Sequence, residues 1–592
     1  MSKKLLSMLI VILLSATTTM AQVTTSGISG KITSHGDEVI GATVTATHMP
    51  SGTVYRAVTN HDGRYTIQGM RVGGPYQVEI TYVGHSAKKY SNISLNLGET
   101  QNISCSLEEN AKELQELVVM GRSGINATKT GAAMSINSER INDMPSITHG
   151  IADVARLNPQ LTVTSSGVMS FAGTNNRYNS FMIDGAMNND VFGLASSGNN
   201  GGQAGTNPVS METIEQIQVS VAPFDVRQSG FTGGAINAIT KSGTNTFHGS
   251  VYGYGYNKNL IGKKYKKVDG TYSEPYDSQT EYQIGVTLGG PIVKNKLFFF
   301  ANYEKTNKEY PNLFGYNTNG SQIMTKDLDA QYLQQYGSKG YTTVGEGNAD
   351  DVLRKINQMA AIQGYDYGGS FSNPDIYTKS DKVGVKLDWN INEFNKFSLR
   401  WSYVNAKQLY NTSSATGLND MNYAYPFKSK THSFTAELQS RISAQMSNEF
   451  RVSYVRVRDQ RATGTPFPMI SIRNVGSAQL IDPSDATGKT YLINRRGGTV
   501  NIGNERSSMA NLWIKTSTRS KTTLLGLRAT ILIRLVRTMS CINSLTSISK
   551  MLLERIISMT LTISTSIILI SWQEPSILHI LISINTDLEW LT

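Results

Sequence analysis

Residues able to do covalent chemistry occur in this sequence, but not in the spacings that such chemistry needs. Gly488-Lys489-Thr490 has the ending of a phosphate-binding loop, yet the position that loop reserves for an earlier glycine is Pro483. The eight histidines do not fall at metal-ligand spacing, and no His-Glu-x-x-His, Gly-x-Ser-x-Gly or Cys-x-x-Cys occurs. No catalytic residue, metal or cofactor is assigned, and the chain is expected not to be an enzyme. What the residues offer instead is pairing chemistry. Glu113 to Gly121 is a short acidic and β-branched run. Within it Glu116, Leu117, Val118, Val119 and Met120 can lie extended beside a partner's strand, where backbone hydrogen bonds give affinity and a few side chains give selectivity. Further on, Arg177 and Asp184 offer an ion pair or a strand-end contact.

The elements that must position such residues are strands. Apolar residues make up 39% of the 592-residue chain, charged residues 17%, and glycines number 53, a balance that suits β-structure with many turns and argues against helix bundles. The length calls for several units. Net charge is +11, but Lys and Arg are scattered and no nucleic-acid motif accompanies them, so nucleic acid is not expected as a partner. The two cysteines, Cys105 and Cys541, exclude a disulfide framework; Cys105 sits in the alternating run Ile103, Cys105, Leu107 and reads as a small buried apolar residue.

Residues 1–21 have the three-part layout of a secretory signal: Lys3 and Lys4, an apolar run from Leu5 to Leu14, and small residues before Thr19-Met20-Ala21. Cleavage is expected before Gln22. The apolar run is well short of the ~20 residues of a spanning helix.

From Gly27 to Leu107 short alternating strands are separated by turns: Gly30 to Thr33, Thr43 to Thr47, Val54 to Thr59, Tyr65 to Ile67, Tyr76 to Tyr82 and Asn102 to Leu107. They predict a β-sandwich over 22–110. The runs Val39-Ile40-Gly41-Ala42-Thr43-Val44 and Thr59-Asn60-His61-Asp62-Gly63-Arg64-Tyr65 resemble the carboxypeptidase-regulatory-like domain, often classed as carbohydrate-binding-like. That name describes a fold and does not imply that sugar binds. The segment 111–121 then resembles a TonB box.

Residues 122–246 resemble the plug domain of TonB-dependent receptors. The stretches that carry the likeness are Ile151 to Pro159, Arg177 to Asp184-Gly185, Ile214 to Val219, and Phe231 through Gly233-Gly234 and Asn237 to Asn245. They read as strands divided by Gly and Asn turns, a small α/β unit whose apolar cover includes Phe181, Ile183, Ile214, Ile217 and Val219.

After Phe247 the rhythm becomes paired segments of period two, the repeated mark of outer-membrane strands. Val383, Val385, Leu387 and Trp389 alternate with Lys382, Gly384, Lys386 and Asp388; across the turn Asn392 to Asn395, Phe397, Leu399, Trp401 and Tyr403 alternate with Lys396, Ser398, Arg400 and Ser402. One face suits lipid and the other a wet lumen. Further hairpins join Tyr282 to Leu288 with Leu297 to Tyr303, and His432 to Leu438 with Phe450 to Tyr454. Turns within hairpins are short and connections between them long, the periplasmic and extracellular layout of such barrels. Residues 247–516 are thus expected to be the first part of an antiparallel transmembrane β-barrel. It is expected to be incomplete, because a lumen able to hold a plug takes ~22 strands.

From Ser517 to residue 592 the sequence turns to Ile, Leu, Ser and Thr with scattered Arg, and no sustained alternation predicts strands there. The expectation is an out-of-frame tail on a truncated product. The resemblance as a whole, from Gly27 to Trp513, fits best the Oar-like branch of TonB-dependent receptors. It implies an exported protein of the cell outer membrane, surrounded by lipid, that imports an unidentified extracellular ligand. Energy would come from TonB and its inner-membrane complex. The alternative is an outer-membrane surface adhesion or binding protein without transport.

Overall fold

The computed structural model describes residues 24–109, 116–117 and most of 132–572, apart from 222–230, 261–278, 312–341, 482–489, 548–556 and gaps of five residues or fewer; beyond 519 it describes backbone alone. The signal segment 1–21, Val118 to Met120 and Gly488-Lys489 lie outside the described residues.

The first unit is a sandwich. Its strands are β1 (Ser26–Ser34), β2 (Thr43–His48), β3 (Thr53–Val58), β4 (Arg64–Met70), β5 (Gly73–Thr81), β6 (Lys88–Leu95), β7 (Thr100–Asn102) and β8 (Cys105–Leu107). In one sheet β1 pairs antiparallel with β4 and parallel with β7 and β8; the other runs β6-β5-β2-β3. Alternate residues point between the sheets, so Ile28, Ile32, Val44, Ala46, Tyr65, Tyr76, Val78 and Ile80 form one core. Strand β6 was not legible in the sequence, and Asn102 to Leu107 is two short strands rather than one. A two-residue strand, β9 (Glu116–Leu117), lies parallel against β6, Glu116 opposite Lys89 and Leu117 opposite Tyr90.

The second, inner unit holds β10 (Ala132–Asn137), α1 (Ser138–Asp143), α2 (Ile151–Ala155), β11 (Ser180–Ile183), β12 (Ala186–Met187), β13 (Ile214–Val221) and β14 (Gly234–Thr240). The sheet order is β10-β13-β14-β11-β12. Asn137 caps α1 by accepting the backbone N–H of Arg140. Phe181, Ile183, Ile214, Ile217 and Val219 pack with Ile136, Val154, Phe171 and Ile236 into its core.

The third unit is a wall of nine strands paired in chain order. They are β15 (His248–Asn257), β16 (Thr280–Val293), β17 (Leu297–Tyr310), β18 (Ile376–Asn390), β19 (Asn395–Tyr410), β20 (Tyr425–Arg441), β21 (Met446–Arg461), β22 (Leu512–Arg528) and β23 (Ile531–Ser547), with helix α3 (Ala349–Ile362) in the long connection before β18. Every ladder is antiparallel. From β16 on the strands have 14 to 17 residues, ample for the 9–11 that a tilted strand needs to cross a ~30 Å hydrocarbon layer. Val383 faces Tyr403, Val385 faces Trp401, Leu387 faces Leu399 and Trp389 faces Phe397 across the β18–β19 ladder. The sidedness is inverted from a soluble sandwich: Lys382 and Arg400 are 5% and 6% exposed, whereas Trp389 and Leu399 are 46% and 37%. Apolar groups therefore look outward. The polar face is not simply wet as expected, because the inner unit covers much of it.

Among the described residues the sheet does not close: β15 and β23 are its two edges, as fits an incomplete barrel. The expectation of no strands after 517 is corrected. Strand β22 runs through that position, β23 follows it, and a separate hairpin forms from β24 (Ile557–Ile563) and β25 (Ser566–Trp572). The physical reason is that pairing needs backbone groups, not alternation. The exposed edge of β21 offers a row of N–H and C=O groups, and β22, rich in Thr and Leu and free of proline, can join it.

Candidate functional site

Asp184 and Gly185 form the two-residue turn between β11 and β12, with φ of +46° and +70°. Left-handed geometry at both central positions is the type I′ hairpin turn, for which Asp-Gly is among the favoured pairs. The turn carries the Asp184 carboxylate out of the inner unit to the wall. It accepts the backbone N–H of Thr240 at 2.9 Å and the Thr240 hydroxyl at 2.7 Å, and meets Arg400 Nε at 3.1 Å and Lys386 Nζ at 3.6 Å. Lys386 also donates to the Thr240 carbonyl at 2.9 Å. Burial alone would raise the Asp184 pKa, but Lys386, Arg400 and the Thr240 bonds outweigh it and hold the carboxyl below its usual range.

Beside this turn Arg451 is paired with Glu437 at 2.6 Å and Glu449 at 2.5 Å, and Thr24 donates to Glu437 at 3.0 Å. A Cβ at Gly185 would run into the Arg451 guanidinium, so glycine is needed there on two counts, φ and space. On the other side Lys382 and Glu304 pair at 2.6 Å; Glu304 also accepts from Tyr252 at 2.8 Å and from Ser210 of the inner unit. Thr206 bonds Ser380 at 3.0 Å, and Lys515 donates to the Asn189 carbonyl at 2.9 Å. Strands β15, β17, β18, β19 and β22 thus hold the inner unit by charged and polar groups. Removing one partner of such a pair costs ~3–5 kcal/mol because a buried charge is left alone, while replacing the whole pair by apolar groups can be nearly neutral. Such a seat fixes position while remaining separable, since released charges are taken up by water.

Arg177 lies exposed in the 3₁₀ turn Asn176–Tyr178, its N–H donating to Asn175 Oδ1. The pair that Arg177 and Asp184 offered is not formed; Asp184 takes both its cations from the wall. The Gly233 N–H donates to the Tyr178 carbonyl, and a Cβ at Gly234 would enter the Phe171 ring. Asn237 is buried in the middle of β14, opposite Met182 on one side and Gln218 on the other. Of the box-like residues, Glu116 and Leu117 are on the sandwich edge and not at this seat.

Sequence reasoning did not single out Lys386, Arg400, Glu437 or Arg451. The available signal was charge recurring at period two on the face opposite the apolar one. It also missed a small core in the long connections, where Leu353, Ala360, Tyr367, Leu418, Val500 and Ile502 pack together. There the Tyr367 hydroxyl donates to Asp420 and accepts the Gly503 N–H. Burial pushes the Asp420 carboxyl up to about 6.

Two domain families match the chain: the carboxypeptidase regulatory-like domain over residues 27–108 and the outer membrane beta barrel domain over 239–511. The TonB-dependent transporter Oar of Myxococcus xanthus is 28% identical over 280 residues, covering 45% of this chain and 25% of Oar. A probable TonB-dependent siderophore receptor, PirA of Acinetobacter baumannii, is 28% identical over 189 residues, 29% of this chain and 22% of that protein. These curated relatives are transporters or receptors, and the matches span about a quarter of their length. Among solved structures, the outer membrane transporter YddB from Escherichia coli has a TM-score of 0.45 at 12% identity, covering 72% of this chain and 49% of YddB. The chain is a homologue of the TonB-dependent transporter Oar that joins a carboxypeptidase regulatory-like domain to an outer membrane beta-barrel domain.

Proposed function

We propose that the protein is an outer-membrane transporter energised through TonB, and that its inner unit is the plug. The observation that carries this reading is the seat. An independently cored unit, tied to the wall by buried ion pairs around Asp184, follows directly on a linker with a strand-pairing run at Glu116 to Met120. In this reading the signal segment is removed before Gln22, and lipid surrounds Val383, Val385, Leu387, Phe397, Leu399 and Trp401. The short turns of the wall face the periplasm, and an unidentified ligand binds from the side of the long connections. TonB, drawing on its inner-membrane complex, pairs with the 116–120 segment and pulls.

The test is deletion of residues 113–121, comparing energy-dependent uptake with surface binding over a panel that begins with siderophores, the class named for the Acinetobacter relative. Transport predicts that uptake is lost while binding persists. Uptake unchanged by the deletion would overturn the TonB reading. Binding without uptake in the intact chain would favour an adhesion or surface-binding protein.

A further inference from the structure

The sandwich does not hang free of the rest of the molecule. It meets the inner unit through a small apolar cluster of its own, Val72 and Leu97 against Ile239, separate from the core of either unit. Around that cluster the Leu97 N–H donates to Gln216 at 2.7 Å, Gln218 donates to the Leu97 carbonyl at 2.6 Å, and Gln216 reaches Asn96 at 3.2 Å. The sandwich also meets the end of the wall that carries the short turns. Arg56 forks onto Glu393 at 2.7 and 2.8 Å, Asn390 donates to Thr53 at 2.9 Å, and the Asn245 N–H donates to the Pro50 carbonyl at 2.8 Å. Arg71 pairs with Asp388 at 3.4 Å, and the Lys396 ammonium lies 4.1 Å from the Tyr55 ring centre. Between the three units is a cavity of about 330 Å³, lined by residues that include Arg71, Asp184, Glu215, Thr240, Lys386 and Asp388.

We propose, building on the transporter reading, that the sandwich is a latched cover over the periplasmic face of the plug, and that it must undock before anything passes. The contacts have the character of a reversible interface. Three apolar residues make a small centre, and the contacts described around them are hydrogen bonds, ion pairs and one cation–π contact, the polar make-up of interfaces between domains that move. The Arg56–Glu393 pair is half exposed on both sides, so it adds little strength and serves mainly orientation. Chain order directs the pull. The box-like segment lies between cover and plug in sequence, and its Glu116–Leu117 backbone pairs with Lys89–Tyr90 at the edge of the cover. Because this segment is already paired to β6, a pull on it reaches the cover as well as the plug.

The test uses the full chain in cells, with Cys105→Ala and Cys541→Ala, and Val72→Cys as a conservative reporter in the covered centre. Labelling by a maleimide is followed in energised cells, in protonophore-treated cells, and after oxidation of an added Thr53→Cys/Asn390→Cys latch. The expected result is slow labelling at rest, severalfold faster labelling when energised, and slow labelling again in the oxidised latch even under energisation. Fast labelling at rest would overturn the docked cover. Energised labelling that stays slow while Val118→Cys still cross-links to TonB would overturn the undocking. If that cross-link also fails, the TonB reading is what falls; slow labelling at rest then supports the docked cover alone, and its forced release is withdrawn.

Discussion

Asp184 shows how much one side chain can be asked to hold. Its turn is the Asp-Gly pair visible in the sequence, but its partners, Lys386 and Arg400, come from strands some two hundred residues later. Asp184→Ala leaves two buried cations without their anion and should cost ~3–5 kcal/mol, read as loss of protease resistance in the inner unit and a lower denaturation midpoint. The pH sign follows from the depressed pKa. Stabilisation by ionised Asp184 is present above the unfolded carboxyl range and is lost only as pH falls through the lower folded value, so the seat should survive mild acid. Asp420 runs the other way. With a folded pKa of about 6 against an ordinary 3.8, its contribution is complete below the unfolded value and is lost as pH rises through about 6. Protease sensitivity of the connections around Tyr367 should therefore increase across that window in the wild type and not in Asp420→Asn. At Gly234 an added methyl meets the Phe171 ring, and Gly234→Ala should destabilise the inner unit by ~1–3 kcal/mol in a thermal melt.

At the scale of elements, strands were legible where period two was unbroken, as in β18 and β19, and hidden where it was not. The instructive miss is β6. Tyr90 and Ile93 are both buried although an even spacing is what a regular strand requires. The ladder to β5 explains this: Tyr76 pairs with Ile93 and Val78 with Tyr90, so an extra residue is taken up in β6, where Asn92 has φ of +58°. Such a bulge reverses the phase of the pattern and erases the signal used to find strands. Strands β22 and β23 were missed for a different reason, since an edge recruits backbone without asking for alternation. The wall face makes a further prediction. Val385→Arg places a charge in the outward apolar band and should cost ~2–4 kcal/mol if that position is near the bilayer centre, less toward the interfaces. Heat-modifiable migration of outer-membrane fractions checks it, with Ser402→Thr on the inward face expected to migrate as wild type.

For the whole molecule, the order sandwich, linker, inner unit, wall was readable along the chain, while the way the units sit on one another was not. Sequence pattern reports which face of an element is apolar; it does not report which distant cation a carboxylate will meet, nor that Val72 and Leu97 close on Ile239. Those placements give the chain its functional reading: a wall with apolar groups outward, a unit seated on its polar face, and a pairing segment beside them. The most direct test of that account is a cross-link from Val118→Cys to TonB in outer-membrane fractions of cells expressing the full chain. The account predicts a cross-linked species in the folded, heat-modifiable population, absent when residues 113–121 are deleted. A folded outer-membrane population that never cross-links to TonB would contradict it.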